Sequence, residues 1–225
     1  MMFEAVDTTA SGVVMDYNVA PTDPVPVVRN SQTTRSRVLA IARWGLLPPW
    51  ATDRRGAARM INARAETVAT SRAFARPFAT NRCLIPATGW YEFGPSPRPG
   101  IRKQPYFMTH SDESPVVFGG IWSMWTPPDD SGDRILTCSI VTTAAIGPLV
   151  AVHDRMPLVL PRDRWDAWLS ATSDSLALLA PPTAEAVAEL EIRPVGPAVG
   201  DVRNDGPDLI ARVDVPRPPV DLTLF

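Results

Sequence analysis

The sequence has few cysteines, few histidines and no long apolar run, and each of these shortages excludes a class of protein. Two cysteines among 225 residues exclude a disulfide scaffold and a four-cysteine zinc site. Two histidines, His110 and His153, leave little room for a histidine-based metal site. No apolar run approaches the roughly 20 residues that a membrane span requires, and residues 1–10 lack the basic start and apolar run of a signal peptide. We therefore expect no metal, no cofactor and no membrane contact.

The near-neutral charge of the chain hides a basic segment. The formal net charge is −2, from 22 basic and 24 acidic residues, and Lys103 is the only lysine. Between Arg29 and Arg82 lie 11 arginines against Asp53 and Glu66, a formal charge of +9, so the rest of the chain carries −11. Segregation by sign is typical of a protein with an anionic partner, such as nucleic acid, a phosphate ligand or an acidic protein.

Apolar patterning predicts more strands than helices. Strands are predicted at residues 25–28, 38–44, 82–86, 89–93, 105–109, 116–125, 135–143, 156–160 and 191–195, and helices at about 64–75, 162–169 and 183–190. Strands and helices do not alternate regularly, so we predict a single α+β domain over residues 1–225, with a curled, mainly antiparallel β-sheet core and peripheral helices. Residues 1–16 are expected to form a weakly structured lead-in and residues 214–225 an extended tail.

Glu92 and His153 are the candidate acid–base groups. Glu92 lies between Tyr91 and Phe93 in a predicted strand, where partial desolvation would raise its pKa and suit proton transfer. His153 precedes an apolar strand and is of a residue type that titrates near neutral pH. Taken singly, each also has a structural explanation, since Glu92 could point outward from an edge strand and His153 could bond the backbone. Whether the adjacent Asp154 orients His153 stays open.

Asn62, Arg64 and Trp50 are candidate ligand contacts. Arg64 can clamp a phosphate with its planar guanidinium, and Asn62 can orient a carbonyl or sugar oxygen or, alternatively, cap the predicted helix. Glu66, in the first turn of that helix, suits the helix dipole and is interpreted as mainly structural. Trp50, in a proline-rich loop, is a candidate to stack on an unpaired base, whereas Trp44, in a strand, is interpreted as a core residue.

Six motifs occur in the order and spacing of one known family. They are YNVAPT from Tyr17, RWGLLPPW from Arg43, INARAET from Ile61, RCLIPATGWYEF from Arg82, IVTTAA from Ile140 and VHDRMPLVL from Val152. On these motifs the chain resembles the SOS response-associated peptidase (SRAP) family, the abasic-site processing proteins. The resemblance covers residues 17–160, and six motifs in order make it specific.

The resemblance implies a fold, a partner and a reaction. The fold is one α+β domain with a curled sheet and a positively charged groove for single-stranded DNA that contains abasic sites. Family members crosslink to such sites through an N-terminal cysteine, which is exposed when the initiator Met is removed. Its amine forms a Schiff base with the ring-opened sugar, and its thiol then closes a thiazolidine ring. The resemblance also implies a monomer without a cofactor, in the cytoplasm and associated with the nucleoid during DNA damage.

Roles carry over residue by residue from the matching motifs. Asn62 would hold the reacting N-terminus or the sugar, Glu92 would interact with the N-terminal amine, and His153 would act on the sugar oxygen as the ring opens. The phosphate contacts would be Arg64 and Arg155, and the DNA path would be lined by Pro21, Trp50, Phe93 and Thr142.

The start of the chain departs from the family pattern. It begins Met1-Met2-Phe3 where the family begins Met-Cys-Gly-Arg. Cys83 and Cys138 have apolar neighbours in predicted strands and are expected to be buried thiols, and neither has an amine beside its thiol. We expect the natural start to lie upstream. If the start is real, we expect the chain to bind DNA without crosslinking to it.

Two other interpretations stay open. The first is a non-catalytic module that binds single-stranded DNA, and the second is a peptidase, as the family name suggests. A covalent DNA adduct would separate crosslinking from binding alone. Peptide hydrolysis that Glu92→Ala abolishes would favour the peptidase.

Overall fold

Strands dominate the computed structural model, which describes residues 2–9, 12–34, 36–95, 103–128, 132, 134–170 and 176–214. The strands are β1 (Val6–Asp7), β2 (Pro24–Asn30), β3 (Arg37–Trp44), β4 (Asn62–Arg64), β5 (Arg82–Ala87), β6 (Gly89–Phe93), β7 (Pro105–His110), β8 (Val116–Trp125), β9 (Ile135–Ala144), β10 (Arg155–Pro157) and β11 (Leu190–Pro194). The helices are α1 (Ala75–Thr80), α2 (Trp165–Leu169) and α3 (Ala184–Ala188). Beyond Asp214, the predicted extended tail lies outside the described residues. None of the described helices is long and apolar enough to cross a bilayer.

The larger sheet curls until its two sides meet. The strands β3, β2, β5, β8 and β9 pair in that order as antiparallel neighbours, and β9 then pairs in parallel with β3 through Trp44 opposite Cys138. These five strands therefore form a small closed barrel, whose interior side chains can fill. The prediction of an α+β fold with a curled sheet is confirmed. The sheet is mixed rather than uniformly antiparallel, because β1, β4 and the closing pair are parallel.

The central strand β8 is buried on both faces. Phe118 and Trp122 face the barrel interior, whereas Val117 and Ile121 pack outward with Trp168 of α2. Gly120 has no side chain, and a Cβ there would lie only 2.6 Å from the Ile85 side chain. The glycine is what lets β5 and β8 pack closely inside so narrow a barrel. Cys83 and Cys138 belong to the same interior cluster and are free, buried thiols, as their apolar neighbours indicated.

A second sheet covers one end of the barrel. It has the order β11-β7-β6, with antiparallel pairing throughout. The indole of Trp90 in β6 meets the ring of Phe118 in β8 edge to face, with centroids 5.7 Å apart. Gly89 is the first residue of β6. Any side chain there would place its Cβ only 2.2 Å from the Met108 carbonyl oxygen, so the close pairing of β6 with β7 requires glycine. The small sheet is thus fastened to the barrel next to the segment that carries Glu92.

The helix predicted at residues 64–75 is wrong. Residues 62–64 form strand β4, which pairs in parallel with β9, and the helix begins only at Ala75. Pro77, a residue that ends a helix when it follows one, here lies in the first turn of α1. Proline is compatible with that position because the first N–H groups of a helix have no partner within it. Asn62 therefore does not cap a helix, and Glu66 does not interact with a helix dipole.

Residues 2–9 run along the outside of the barrel. Val6 and Asp7 pair in parallel with Val38 and Leu39 of β3. The Phe3 ring stacks on Trp165 with centroids 4.8 Å apart, and the Arg37 guanidinium donates to the Phe3 carbonyl oxygen at 3.2 Å. The first described residues are therefore held at the Arg37 end of β3.

Candidate functional site

A cavity of about 880 Å³ lies between the open end of the barrel and the small sheet. Barrel residues such as Trp44, Ile85 and Ile140 line one part of it, and residues 89–93 of β6 line another. Eight of the nine side chains proposed as site residues line this one cavity, namely Pro21, Asn62, Arg64, Glu92, Phe93, Thr142, His153 and Arg155. The roles given to these residues stay predictions, but the fold does bring them together.

Strand β9 assembles the cationic side of the cavity. It pairs with β4 on one edge, which places Arg64 opposite Thr142, and with β10 on the other, which places Arg155 opposite Ala144. The motifs INARAET and VHDRMPLVL are distant in the sequence, and their pairing with one strand makes them neighbours. Thr142 thus lies between the two arginines, and its carbonyl oxygen accepts from Arg155 Nη2 at 2.7 Å.

Glu92 is partly withdrawn from water. Burial is the largest cause of a raised pKa for its carboxyl group, while the nearby His153 lowers that pKa and Asp154 raises it. The sequence-based expectation of a desolvated carboxylate is confirmed. Strand β6 is indeed an edge strand, but Glu92 lines the cavity instead of standing apart from it. A carboxyl group with a raised pKa next to an imidazole is suited to accepting and returning a proton.

The His153 ring is oriented through one of its two nitrogens. Nδ1 accepts from the Arg155 backbone N–H at 3.0 Å, and Asp154 Oδ1 lies 3.1 Å from the same atom. Nδ1 also lies 3.3 Å from the Arg155 carbonyl oxygen, so its role as donor or acceptor depends on the tautomer of the ring. The sequence left open whether Asp154 orients His153, and the structure places the two side chains in contact.

A side-chain clamp holds the opposite side of the cavity. The Asn18 amide donates to the carbonyl oxygens of Val199, Asp201 and Asn204 at 3.3, 3.1 and 3.1 Å. The Tyr91 hydroxyl donates to the Tyr17 carbonyl oxygen at 2.8 Å. Sequence reasoning missed both roles, and the only available signal was that these side chains lie inside the YNVAPT and GWYEF motifs.

The clamp fixes apolar side chains at the cavity mouth. Val14, Met15 and Val202 line the cavity and are largely exposed. Burial raises the pKa of Tyr91 to about 12, and the negative charges of Asp16 and Asp205 contribute to this rise. The Tyr91 hydroxyl therefore stays protonated and remains a donor at neutral pH. The cavity therefore has a cationic side with acid–base groups and a second, mainly apolar side. That combination suits a ligand with phosphates along one edge and apolar faces along the other.

Trp50 does not line the cavity. Its ring is 53% exposed, and the Arg72 guanidinium lies over it at 4.7 Å from the ring centroid. An exposed indole partnered by a cation remains a surface on which a base can stack. Trp44, by contrast, is partly buried, and its indole N–H donates to the Ile61 carbonyl oxygen at 3.0 Å.

The arginines of the basic segment lie in different surroundings. Among the described arginines between Arg29 and Arg82, only Arg64 lines the cavity. Arg82 is buried and donates to the carbonyl oxygens of Phe78, Trp168 and Ser170. Arg37 bonds Asp166 and the Phe3 carbonyl. Arg37 and Arg82 therefore serve the fold.

The described lining residues include no cysteine and no lysine. Cys83 and Cys138 are fully buried, and burial raises the pKa of both thiols, that of Cys138 to about 12.

The first described residues lie far from the cavity. Phe3 is held at the Arg37 end of β3, whereas Trp44 at the other end of β3 lines the cavity. The eight residues of β3 span roughly 23 Å at about 3.3 Å per residue. Within the described ranges, no group of three His, Cys, Asp or Glu side chains is arranged to hold a metal ion.

Solved structures share this architecture of a barrel covered by a small sheet. A crystal structure of a Bacteroides thetaiotaomicron protein matches with a TM-score of 0.71 and 24% identity, over 85% of this chain and 82% of that one. A Bordetella bronchiseptica protein matches with a TM-score of 0.68 and 25% identity, over 87% and 92% of the two chains. The sequence model of one family, the SOS response associated peptidase (SRAP) family, matches residues 2–202. The chain belongs to that family.

Curated relatives are similar over most of the chain. The abasic site processing protein YoqW of Bacillus subtilis is 34% identical over 199 residues, which cover 86% of this chain and 84% of the relative. The abasic site processing protein YedK of Escherichia coli is 32% identical, over 86% and 88% of the two chains. The abasic site processing protein HMCES of Xenopus tropicalis is 26% identical, over 88% and 66%.

Proposed function

We propose that this chain binds single-stranded DNA at abasic sites, with the lesion in the cavity between the barrel and the small sheet. One observation carries the proposal: Asn62, Glu92 and His153 meet Arg64 and Arg155 in one cavity although they come from three separate motifs. The names of the relatives, abasic site processing proteins, supply the ligand class.

Each side of the cavity suits one part of such a ligand. Arg64 and Arg155 would contact the phosphates that flank the lesion, because guanidinium groups match phosphate oxygens in charge and geometry. Asn62 and His153 would contact the sugar. The apolar side, with Phe93, would receive the neighbouring unpaired bases, whose faces stack on apolar and aromatic surfaces. A duplex offers no unstacked base for that side, so we expect single strands to bind more tightly.

The crosslinking reaction needs a nucleophile from outside the described cavity lining. In that reaction a primary amine condenses with the ring-opened sugar aldehyde and releases one water molecule, and a thiol then adds to the imine to close the thiazolidine. Glu92 would accept the proton of the attacking ammonium, and His153 would protonate the sugar oxygen as the ring opens. An upstream segment with an N-terminal cysteine would need at least about seven extended residues to reach the cavity from the Arg37 end of β3.

For a chain without that nucleophile we therefore propose non-covalent binding. The second candidate function, a non-catalytic single-stranded DNA-binding module, describes that polypeptide and is favoured by the absence of a thiol among the described lining residues. Removal of its own initiator Met is the only peptidase activity that we propose for the crosslinking form.

Fluorescence anisotropy tests the binding proposal. A labelled oligonucleotide with a central tetrahydrofuran abasic analogue is titrated beside the intact single strand and the matching duplex, at several salt concentrations. We expect the abasic single strand to bind most tightly, and affinity to fall with salt as counterions are released from phosphate contacts. Arg64→Ala should weaken binding, whereas Arg203→Ala, at an exposed position outside the cavity lining, should not. Equal affinity for the duplex would overturn the proposal.

A denaturing gel tests the covalent step. The chain beginning at Met1 is incubated with single-stranded DNA that carries an aldehydic abasic site, beside a longer chain to which a segment beginning Met-Cys-Gly-Arg has been added at the N-terminus. We expect a heat- and SDS-stable adduct only from a chain that begins Met-Cys-Gly-Arg, and its loss on Glu92→Gln. An adduct from the chain beginning at Met1 would contradict this account.

A further inference from the structure

The guanidinium of Arg155 is held in place by two protein residues, Glu66 and Thr142. Its Nη1 donates to Glu66 Oε1 at 2.7 Å and its Nη2 to Glu66 Oε2 at 3.1 Å. The same Nη2 donates to the Thr142 carbonyl oxygen at 2.7 Å and approaches the Thr142 hydroxyl at 3.2 Å. Contacts from two directions leave the planar guanidinium one orientation, as a bidentate carboxylate pair does elsewhere.

Glu66 approaches Arg155 from outside the cavity. Arg155 lines the cavity and its side chain is 23% exposed, whereas Glu66 is not among the lining residues and its side chain is 52% exposed. A guanidinium has five N–H donors. Glu66 and Thr142 occupy one on Nη1 and both on Nη2, so the Nε–H and the second Nη1–H remain for a ligand. Glu66 and Thr142 together therefore leave two of the five donors of Arg155 for a phosphate.

We propose that Glu66 is a positioning residue that sets the orientation of Arg155 toward a DNA phosphate. This inference rests on the proposed function. Glu66 follows β4, which carries Asn62 and Arg64, and Arg155 begins β10, two residues after His153. The ion pair therefore also joins the two segments that bring the amide and the imidazole to the cavity. Thr142 supports the same orientation from β9.

The proposal predicts an effect opposite in sign to that of charge alone. Glu66→Gln removes a negative charge close to a polyanion, so simple electrostatics predicts tighter binding of DNA. If Glu66 positions Arg155, the same substitution weakens binding, because the neutral amide cannot hold both guanidinium nitrogens. The direction of the change therefore separates the two roles.

The experiment is a double-mutant cycle on affinity for the abasic single strand, with Glu66→Gln, Arg155→Ala and the double variant, measured at several salt concentrations. We expect Glu66→Gln to weaken binding about 3- to 10-fold and to have no further effect when Arg155 is already alanine. Both single variants should also flatten the plot of log affinity against log salt, by up to about 0.7, the slope of one phosphate contact on a single strand. A merely structural role would not change that slope.

Two controls make the result decisive. Glu189→Gln removes the same charge from an exposed position outside the cavity lining and should leave affinity unchanged or slightly higher. Arg155→Lys keeps the charge without the planar fork, and in that background Glu66→Gln should lose most of its effect. Melting temperatures of all variants show that they are folded.

The failures of the two proposals are distinguishable. If the unmodified chain does not bind the abasic single strand, the proposed function falls and this inference falls with it. If the unmodified chain binds, but Glu66→Gln binds as tightly or more tightly, only the positioning role is overturned. An effect of Glu66→Gln that persists in full beside Arg155→Ala also overturns it.

Discussion

Glu92 and His153 face one cavity from two different sheets. Glu92 belongs to β6 of the small sheet, and His153 precedes β10 of the barrel sheet. Burial raises the pKa of the Glu92 carboxyl group, and the imidazole opposes that rise. The two side chains therefore interact electrostatically across the boundary between the two sheets. The protein keeps a partly buried carboxylate at a position where a neutral side chain would make the fold more stable. Such a compromise is common where a site must transfer protons.

Glu92→Gln is expected to stabilise the fold at neutral pH. Because the folded pKa of Glu92 is raised, the native state binds more protons than the unfolded state between the ordinary value of 4.5 and the folded value. Stability is therefore lost as pH rises through that window. The glutamine should raise the melting temperature by about 1–3 °C at pH 7, as a gain of up to about 1 kcal/mol would.

Melting curves between pH 4 and pH 8 check this sign. The difference between Glu92→Gln and the unmodified chain should be largest near pH 7 and should vanish below pH 4.5, where both side chains are neutral. Glu189→Gln, at an exposed position, should show no such trend. A glutamine variant that melts lower at pH 7 would contradict the account.

Asn18→Ala is expected to loosen the apolar side of the cavity. The substitution leaves the carbonyl oxygens of Val199, Asp201 and Asn204 without their shared donor, at a cost of about 1–3 kcal/mol. Amide hydrogen exchange should accelerate between residues 199 and 204. Asn30→Ala removes a bond to the Leu169 carbonyl oxygen and is the control. Unchanged exchange in this loop would show that the clamp does not hold it.

Gly89→Ala is expected to damage the strand that carries Glu92. A Cβ at Gly89 would lie 2.2 Å from the Met108 carbonyl oxygen and 2.6 Å from the Phe107 ring, so β6 and β7 would have to separate. We expect a loss of about 1–3 kcal/mol or more in urea unfolding, together with weaker DNA binding. Gly196→Ala, where nothing lies within 4 Å of the new Cβ, should be nearly neutral. Equal stability of the two variants would refute the close approach.

Arg82→Met is expected to be strongly destabilising without any direct effect on DNA. The buried guanidinium donates to the carbonyl oxygens of Phe78, Trp168 and Ser170, which the methionine would leave unpaired. The loss should be about 3 kcal/mol in urea unfolding. Arg203→Met, in an exposed pair with Asp201, should stay within about 0.5 kcal/mol. If Arg82→Met instead folds normally and weakens DNA binding, the charge of Arg82 acts on DNA after all.

Trp50→Ala is expected to matter only for long oligonucleotides. Trp50 lies outside the cavity lining with its ring exposed under Arg72, so only a strand that extends beyond the lesion can reach it. Loss of one stacked base costs about 1–3 kcal/mol. Affinity should fall for a strand of some 15 nucleotides and stay constant for one of about five nucleotides centred on the lesion. Equal loss with both lengths would place Trp50 at the lesion itself.

The sequence alone determined the strands and the family. The predicted strands from residue 25 to residue 143 match β2, β3 and β5 to β9 to within two residues at each end, because apolar alternation and bounding turns are local signals. Six motifs in order identified the family that the comparisons show. The raised pKa of Glu92 was expected from its aromatic neighbours, but its main cause is burial of the carboxyl group in the folded protein.

Tertiary structure decided what depends on pairing between distant segments. Residues 62–64 are a strand because β9 offers them an edge, whereas the local pattern predicted a helix that begins at about Arg64. The arginines of the +9 segment have different roles because the tertiary structure gives them different neighbours: Arg64 lines the cavity, whereas Arg37 and Arg82 bond groups of the protein itself. Glu66 meets Arg155 only because β4 and β10 flank the same strand. The local sequence carries no information about which distant segments will become neighbours. The pairing of strands in the folded sheet decides it.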